Sequence, residues 1–148
     1  MIDKIIILKS ERKLLLMVGD KAKYKFDIDL GTCPVGKKRF EGDKKTPEGK
    51  YKIAYKNDKS NYYLGLKISY PDFWDRIYAW LHFRKPGGQI MIHGQTTNKG
   101  FESYKKFQSG EYKSGMDWTW GCIAMRNNKD MRKIWNLITI GTKIEIKK

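Results

Sequence analysis

Short apolar runs separated by polar turns fill the first part of the chain. The runs are IIIL, KLLLMV and KYKFDID, and the turns between them are SER and GDK. Runs of this length between turn residues predict two or three strands in an antiparallel meander. Residues 31–46 are rich in glycine, lysine and proline, which predicts a surface loop. The TPEG turn then leads into two more predicted strands, GKYKIAYK and YYLGLKIS.

Apolar residues recur at helical spacing directly after the Tyr70-Pro71 pair. The spacing predicts a helix that Asp72 caps and PGG ends. Its apolar positions are Phe73, Trp74, Ile77, Tyr78 and Leu81. An aromatic stripe of this kind usually packs against the core, and we expect it to do so here.

The rest of the chain predicts short strands and a second helix. QIMIHG and GCIAM are strands, and residues 100–116 between them show no clear period, which predicts a long loop or a flap. Asn127 or Asn128 caps a helix with apolar residues at three-and-four spacing, and TKIEIK is the last strand. Because strands dominate without βαβ alternation, the predicted fold is mainly β, a β-sandwich or partly closed barrel with two flanking helices.

Length and composition are typical of a single domain over residues 1–148. Apolar residues make up 40% of the chain and aromatic residues 14%, enough for a core without metals or disulfides. We expect Cys33 and Cys122 to be free thiols, since two cysteines make no disulfide framework. The N-terminal MIDKIIILKSERK lacks the regions of a signal peptide, and no segment is expected to span a membrane. The chain is therefore cytosolic, exported by another route, or a mature fragment.

The charge balance is strongly basic. Lysine and arginine outnumber aspartate and glutamate 31 to 16, a net charge of +15. A polyanionic partner would suit this charge, and an anionic polymer of a bacterial envelope is one such partner. The lysines are spread along the whole chain without a basic tail or a recognition helix, which favours solvated lysine faces and no nucleic-acid partner.

The stretch DWTWGCIAMRN contains the candidate nucleophile, Cys122. A thiol becomes nucleophilic beside a base or a positive charge, and only two histidines could provide one. His82 lies within the aromatic helix, whereas His93 ends an apolar strand before Gly94 and is the better base. Gly121 leaves room for backbone N–H groups to approach an oxyanion. On the residues alone, a buried structural cysteine remains the favoured alternative.

Metal and cofactor sites are not indicated. Neither histidine has a second histidine, cysteine or carboxylate at ligand spacing, and no glycine-rich phosphate loop occurs. We therefore expect no metal and no cofactor.

Several segments, in their order along the chain, resemble the L,D-transpeptidase catalytic (YkuD) family. They are the opening strands from IIILKSERK to FDIDLG, the turn and strand TPEGKYKI, then LGLKISYPD, IMIHG, DWTWGCIAM and GTKIEI. DWTWGCIAM is especially similar to a branch of the family with a DWTxGCIA motif. The resemblance extends over nearly the whole chain.

The resemblance implies a cysteine enzyme of the bacterial cell envelope. Cys122 would be the nucleophile, His93 would take its proton, and the carbonyl of Gly94 would orient that histidine. Backbone N–H groups of Trp120, Gly121 and Cys122 would stabilise the oxyanion.

The substrates implied are peptidoglycan stem tetrapeptides. The third residue, an L-centre of diaminopimelate type, would form a thioester as the terminal D-alanine leaves. Transfer to an amine gives a 3-3 crosslink, whereas water gives an L,D-carboxypeptidase or detaches a wall-linked protein. The alternative from another class is a non-catalytic cationic module that binds wall or nucleic acid. We expect a monomer.

The sequence departs from the family pattern at three points. Trp120 replaces a histidine before the Gly-Cys pair, and Ala124 stands where many members have arginine, so Arg126 is the candidate carboxylate contact. The interval from His93 to Cys122 is longer than usual, which predicts a flap over the substrate. The remaining candidate substrate contacts are Trp118, Thr119, Tyr104 and Tyr112.

Overall fold

A computed structural model describes all 148 residues as eight strands and three helices. The strands are β1 Lys4–Leu8, β2 Lys13–Val18, β3 Lys21–Asp29, β4 Gly49–Asn57, β5 Gly65–Ile68, β6 Met91–His93, β7 Ile123–Met125 and β8 Lys143–Lys147. The helices are α1 Phe73–Leu81, α2 Glu102–Gln108 and α3 Asn128–Leu137. Each predicted strand is confirmed, because turn residues and apolar runs are local signals.

The eight strands close into a barrel. Their order around it is β1-β2-β3-β7-β6-β5-β4-β8. Closure depends on β1, which pairs antiparallel with β2 on one side and parallel with β8 on the other. The second parallel pair is β6 with β7. The mainly β prediction is confirmed, and the barrel is closed where a sandwich or a partly closed barrel was expected.

Alternate side chains along each strand fill the barrel interior. In β6 and β7 the inward residues are Ile92 and Ile123, both fully buried. The neighbouring positions, including His93, therefore lie on the outer face of the sheet. This outer face of β5, β6 and β7 carries the candidate site.

Helix α1 turns its apolar face outward, contrary to our expectation. Phe73 and Trp74 are 67% and 73% exposed, while the residues that α1 buries are Asp75 and Ala79. Asp75 forms a capping box with Asp72 and accepts a hydrogen bond from the Tyr51 hydroxyl at 2.8 Å. These polar contacts hold the Asp75 face against the barrel, so Phe73, Trp74 and Leu81 face solvent, while Ile77 and Tyr78 are half-buried.

The other two helices lie on either side of the DWTWGC segment in sequence. Asn127 is the N-cap of α3, and Met131 and Ile134 are buried beneath it, as predicted. Helix α2 lies inside residues 100–116, where a loop or flap was expected. It buries only Ser103 and has no side-chain N-cap, which explains why the sequence shows no helical period there.

Candidate active site

His93 and Cys122 lie on the same outer face of two adjacent parallel strands. His93 is opposite Ala124 in the register of β6 and β7, and Cys122 directly precedes β7. Continuing the register places Cys122 opposite Met91, whose N–H donates to Sγ at 3.4 Å. Because residues two apart in a strand share a face, the imidazole and the thiol are diagonal neighbours.

Both side chains line one cavity of about 330 Å³. Its walls are mainly aromatic, with Trp120 at the exposed rim. The lining residues are Tyr62, His93, Phe101, Ser103, Tyr112, Trp118, Thr119, Trp120 and Cys122. The cavity joins residues from β6, the loop before β5, the α2 region and the DWTWGC segment.

His93 is buried and held in one orientation. Its Nδ1 lies 2.7 Å from the carbonyl oxygen of Gly94, the contact that the resemblance implies. A carbonyl only accepts, so Nδ1 carries the proton and Nε2 keeps a free lone pair in the neutral ring. The ring stacks on Tyr62 at 4.1 Å and meets the edge of Trp118 at 5.8 Å. Burial lowers the pKa of His93 from 6.5 to about 4, although the Gly94 contact opposes the shift.

The Cys122 thiol is half-buried and protonated at neutral pH. Burial raises its pKa, against the smaller opposing effect of the Met91 N–H. Sγ donates to the carbonyl of Gln89 at 3.2 Å and makes no hydrogen bond to His93. The resting pair is therefore a neutral thiol near a neutral imidazole, and a nucleophilic role of this thiol would require general-base activation.

The segment before Cys122 is fixed by side-chain contacts at both ends. Asp117 accepts from Arg12 Nη2 at 2.7 Å and from the Leu30 N–H at 2.9 Å. The Thr119 hydroxyl donates to the Cys122 carbonyl at 2.7 Å and accepts the Gly121 N–H at 3.2 Å. These contacts set the direction in which the backbone reaches Cys122.

The Gly121 N–H donates to the Thr119 hydroxyl at 3.2 Å, so its expected role as an oxyanion donor would require that bond to break, and the role stays a prediction. The N–H groups of Trp120 and Cys122 make no hydrogen bond within the chain and stay available as donors. Glycine is needed at position 121 for a different reason. Its φ is +137°, and an added Cβ would lie 2.7 Å from the backbone oxygen of Lys45.

The candidate substrate contacts divide into two groups. Trp118, Thr119 and Tyr112 line the cysteine cavity, although Trp118 and Thr119 are almost fully buried. Arg126 and Tyr104 line a separate pocket outside it. Arg126 donates to the fully buried Asp29 at 3.1 Å, because a buried carboxylate requires a counter-charge.

Several residues at the site were missed by the sequence analysis. Tyr62, Phe101 and Ser103 line the cavity, and no sequence signal marks them, since the barrel and α2 bring them together. Lys67 on β5 was also missed. It pairs in register with Met91, so it lies in the same cross-strand row as Cys122, and its charge lowers the pKa of the thiol.

The second histidine, the two cysteines, metal ligands and membrane-spanning helices were also considered in the sequence analysis. His82 is exposed at the end of α1, outside the cysteine cavity, where its ring stacks on Tyr78. Cys33 and Cys122 are both free thiols. No group of three or more histidine, cysteine, aspartate or glutamate side chains is placed to hold a metal ion. None of the helices has the length and apolar character needed to cross a membrane.

Comparisons with known proteins find similarity in sequence and in fold. YafK of Escherichia coli (strain K12) is 31% identical over an alignment of 120 residues, which covers 72% of this chain and 47% of YafK. This chain therefore spans about half the length of that relative.

Solved structures share the fold at low sequence identity. The helical cell shape determining protein Pgp2 from Campylobacter jejuni is 20% identical, with a TM-score of 0.71 over 99% of this chain and 48% of that one. Bd1075 from Bdellovibrio bacteriovorus is 22% identical, with a TM-score of 0.63 over 97% of this chain and 46% of that one. The family model for the L,D-transpeptidase catalytic domain (YkuD) matches residues 2–146. The chain belongs to the L,D-transpeptidase catalytic domain family.

Proposed function

We propose that this domain is a cysteine-dependent L,D-transpeptidase that acts on peptidoglycan stem tetrapeptides through a thioester. The observation that carries the proposal is the shared cavity of Cys122 and His93, with His93 Nδ1 held by the Gly94 carbonyl. That contact leaves Nε2 as the free base. The low pKa of His93, about 4, keeps this base unprotonated at neutral pH.

The chemistry follows from the protonation states. The thiol turns from the Gln89 carbonyl toward His93, which removes its proton as Sγ attacks the carbonyl of the third stem residue. The N–H groups of Trp120 and Cys122 stabilise the oxyanion. The imidazolium then gives its proton to the departing amine of D-alanine, and the thioester remains on Cys122.

The acceptor decides between related products. An amine of a second stem peptide attacks the thioester and gives a 3-3 crosslink. Water in the same position gives a tripeptide, and a wall-linked protein as leaving group would be detached. We place the chain in the family branch with the DWTxGCIA motif and its site of action in the bacterial cell envelope, as a monomeric single domain over residues 1–148.

The cavity walls suggest how the substrate lies. Tyr112 and Trp118 form an apolar wall, and their rings are 5.8 Å apart. Trp120 is 74% exposed at the rim, with the Lys44 ammonium 5.6 Å from its ring. We expect Trp120 to stack on the substrate, in place of the histidine that the family often has there.

The test is incubation with purified disaccharide tetrapeptide, with and without an amine acceptor, followed by mass spectrometry. We expect loss of D-alanine and a thioester on Cys122, both absent in Cys122→Ala. His93→Ala should abolish turnover, whereas His82→Ala, the matched control, should leave turnover unchanged. Crosslinked dimer or tripeptide then identifies the acceptor. Turnover that persists in Cys122→Ala would exclude the mechanism.

A second candidate function rests on a basic groove of about 560 Å³ on the outside of the barrel. It is lined by four lysines, of which Lys4, Lys143 and Lys52 are neighbours across three strands. Like charges directly opposite one another repel, and an anionic ligand would relieve that repulsion, which Glu145 in the same groove offsets only for Lys4. A non-catalytic cationic module would bind wall polymer in a salt-dependent way that Cys122→Ala leaves unchanged.

A further inference from the structure

The outward face of α1 is an unpartnered apolar surface. We use the name apolar stripe for its large exposed side chains, which are Phe73, Trp74, Trp80, Leu81 and Phe83. Residues seven apart lie nearly above one another on a helix, so Phe73 aligns with Trp80 and Trp74 with Leu81. Phe83, just beyond the helix, is 98% exposed. Contiguous exposed apolar surface of this kind marks an interaction site.

The orientation of α1 is rigidly set. The capping box of Asp72 and Asp75 fixes its first turn, and Phe40 packs on the rings of Tyr78 and His82 on the opposite side of the stripe. The core is filled by strand residues, loop residues and the side chains of Met131 and Ile134 from α3, and no residue of the stripe belongs to it. The outward face is therefore a permanent feature of the surface.

Basic side chains outnumber acidic ones around the stripe, where Asp72 caps the helix and the Glu41 N–H donates to the Lys85 carbonyl at 2.9 Å. Arg76, Arg84 and Lys85 are exposed, and no aspartate or glutamate occurs between positions 76 and 101. Tryptophan and phenylalanine beside arginine and lysine is the composition of segments that lie at an anionic membrane interface. The helix has 9 residues, too few to span a bilayer, so on a membrane it would lie in the plane of the surface.

We propose that α1 and the residues following it to Lys85 dock on an anionic lipid surface. The stripe enters the headgroup region, and the flanking basic side chains contact lipid phosphates. A protein partner or a second copy of the chain fits less well, because its surface would carry mixed charge, whereas exposed basic side chains outnumber acidic ones around the stripe. The net charge of +15 adds long-range attraction to the same surface.

This docking has a consequence for the cysteine cavity. The segment after Phe83 runs to Gln89, whose carbonyl accepts the hydrogen bond of the Cys122 thiol. Six residues, 84–89, therefore link the exposed Phe83 to the Gln89 carbonyl that accepts the hydrogen bond of the Cys122 thiol. Docking itself does not depend on the proposed reaction.

The test is vesicle co-sedimentation with the intact chain. We expect binding to phosphatidylglycerol/phosphatidylethanolamine vesicles, a blue shift of tryptophan fluorescence, and little binding to phosphatidylcholine. The variant Trp74→Ser/Trp80→Ser/Phe83→Ser should bind at least about tenfold more weakly, since it loses three large apolar side chains. The control Val35→Ser/Met116→Ser/Ile140→Ser removes three exposed apolar side chains elsewhere and should bind like the unmodified chain.

Each other outcome overturns the proposal. Equal binding by both triple variants would show that lysine charge acts without the stripe. No binding of the unmodified chain, or self-association in sedimentation velocity that the stripe variant abolishes, would assign the stripe to something other than lipid. Circular dichroism and the alkylation rate of Cys122 check that each variant is folded.

Discussion

Replacing Gly121 by alanine tests whether the glycine is needed for close backbone approach. The residue has a φ of +137°, and the new Cβ would lie 2.7 Å from the Lys45 carbonyl oxygen and 3.1 Å from Ile90 Cδ1. The Lys45 oxygen is a backbone atom and cannot move like the end of a flexible side chain. Backbone strain costs about 1–3 kcal/mol, and forced repacking adds about 1–3 kcal/mol.

We therefore expect Gly121→Ala to lower the free energy of unfolding by about 2–6 kcal/mol in urea denaturation. Because Cys122 is the next residue, its alkylation rate with iodoacetamide and its turnover of tetrapeptide should also change. Gly110→Ala is the matched control, since Gly110 also has a positive φ of +79° but nothing lies within 4 Å of its added Cβ. The control should lose only about 1–2 kcal/mol.

Comparing Gly121→Ala with Gly110→Ala separates the effect of the crowded Cβ position from the effect of a positive φ alone. If Gly121→Ala were as stable as Gly110→Ala and kept its alkylation rate and turnover, the Lys45 contact would not shape the site. The need for glycine would then come from some other property of the segment.

Two further predictions concern protonation and charge at the site, and a third concerns the Asp43 carboxylate in the loop before β4. In the pH profile of kcat/KM, the acid limb should lie near the His93 pKa of about 4, because the base must be unprotonated and burial disfavours its charged form. An acid limb near 6.5 would contradict this assignment. Lys67→Met should raise the pKa of the Cys122 thiol and slow its alkylation near neutral pH, whereas Lys67→Arg should preserve the pKa and the alkylation rate. If the pH profile of alkylation were unchanged in both variants, Lys67 would not act on the thiol. Asp43→Asn should lower the free energy of unfolding by about 1–3 kcal/mol in urea denaturation. The reason is that the Asp43 carboxylate accepts hydrogen bonds from three backbone N–H groups and from a lysine ammonium. The control Asp58→Asn, at an exposed position, should have little effect.

The candidate pair of His93 and Cys122 could be predicted from the sequence, but the shape of the cavity that they line could not. His93 and Cys122 stand at the ends of recognisable strands, and the family resemblance links them. Tyr62 stacks on His93 yet lies 31 positions away in the sequence, and only the barrel brings the two rings within 4.1 Å. The pairing of Arg126 with the buried Asp29 was also not accessible from the sequence, and the substrate contact expected of Arg126 stays a prediction.

The sequence by itself determined the strands, the caps of α1 and α3, and the identity of the nucleophile and base candidates. Turn residues, capping side chains and apolar period act over a few neighbouring positions, so they can be recognised without the fold. The tertiary structure alone decided barrel closure through the pairing of β1 with β8, the outward direction of the α1 stripe, and the contacts of Gly121. These features depend on which distant segments meet and on which side chains fill the limited space between them. Local sequence patterns do not show which side chains will occupy that space.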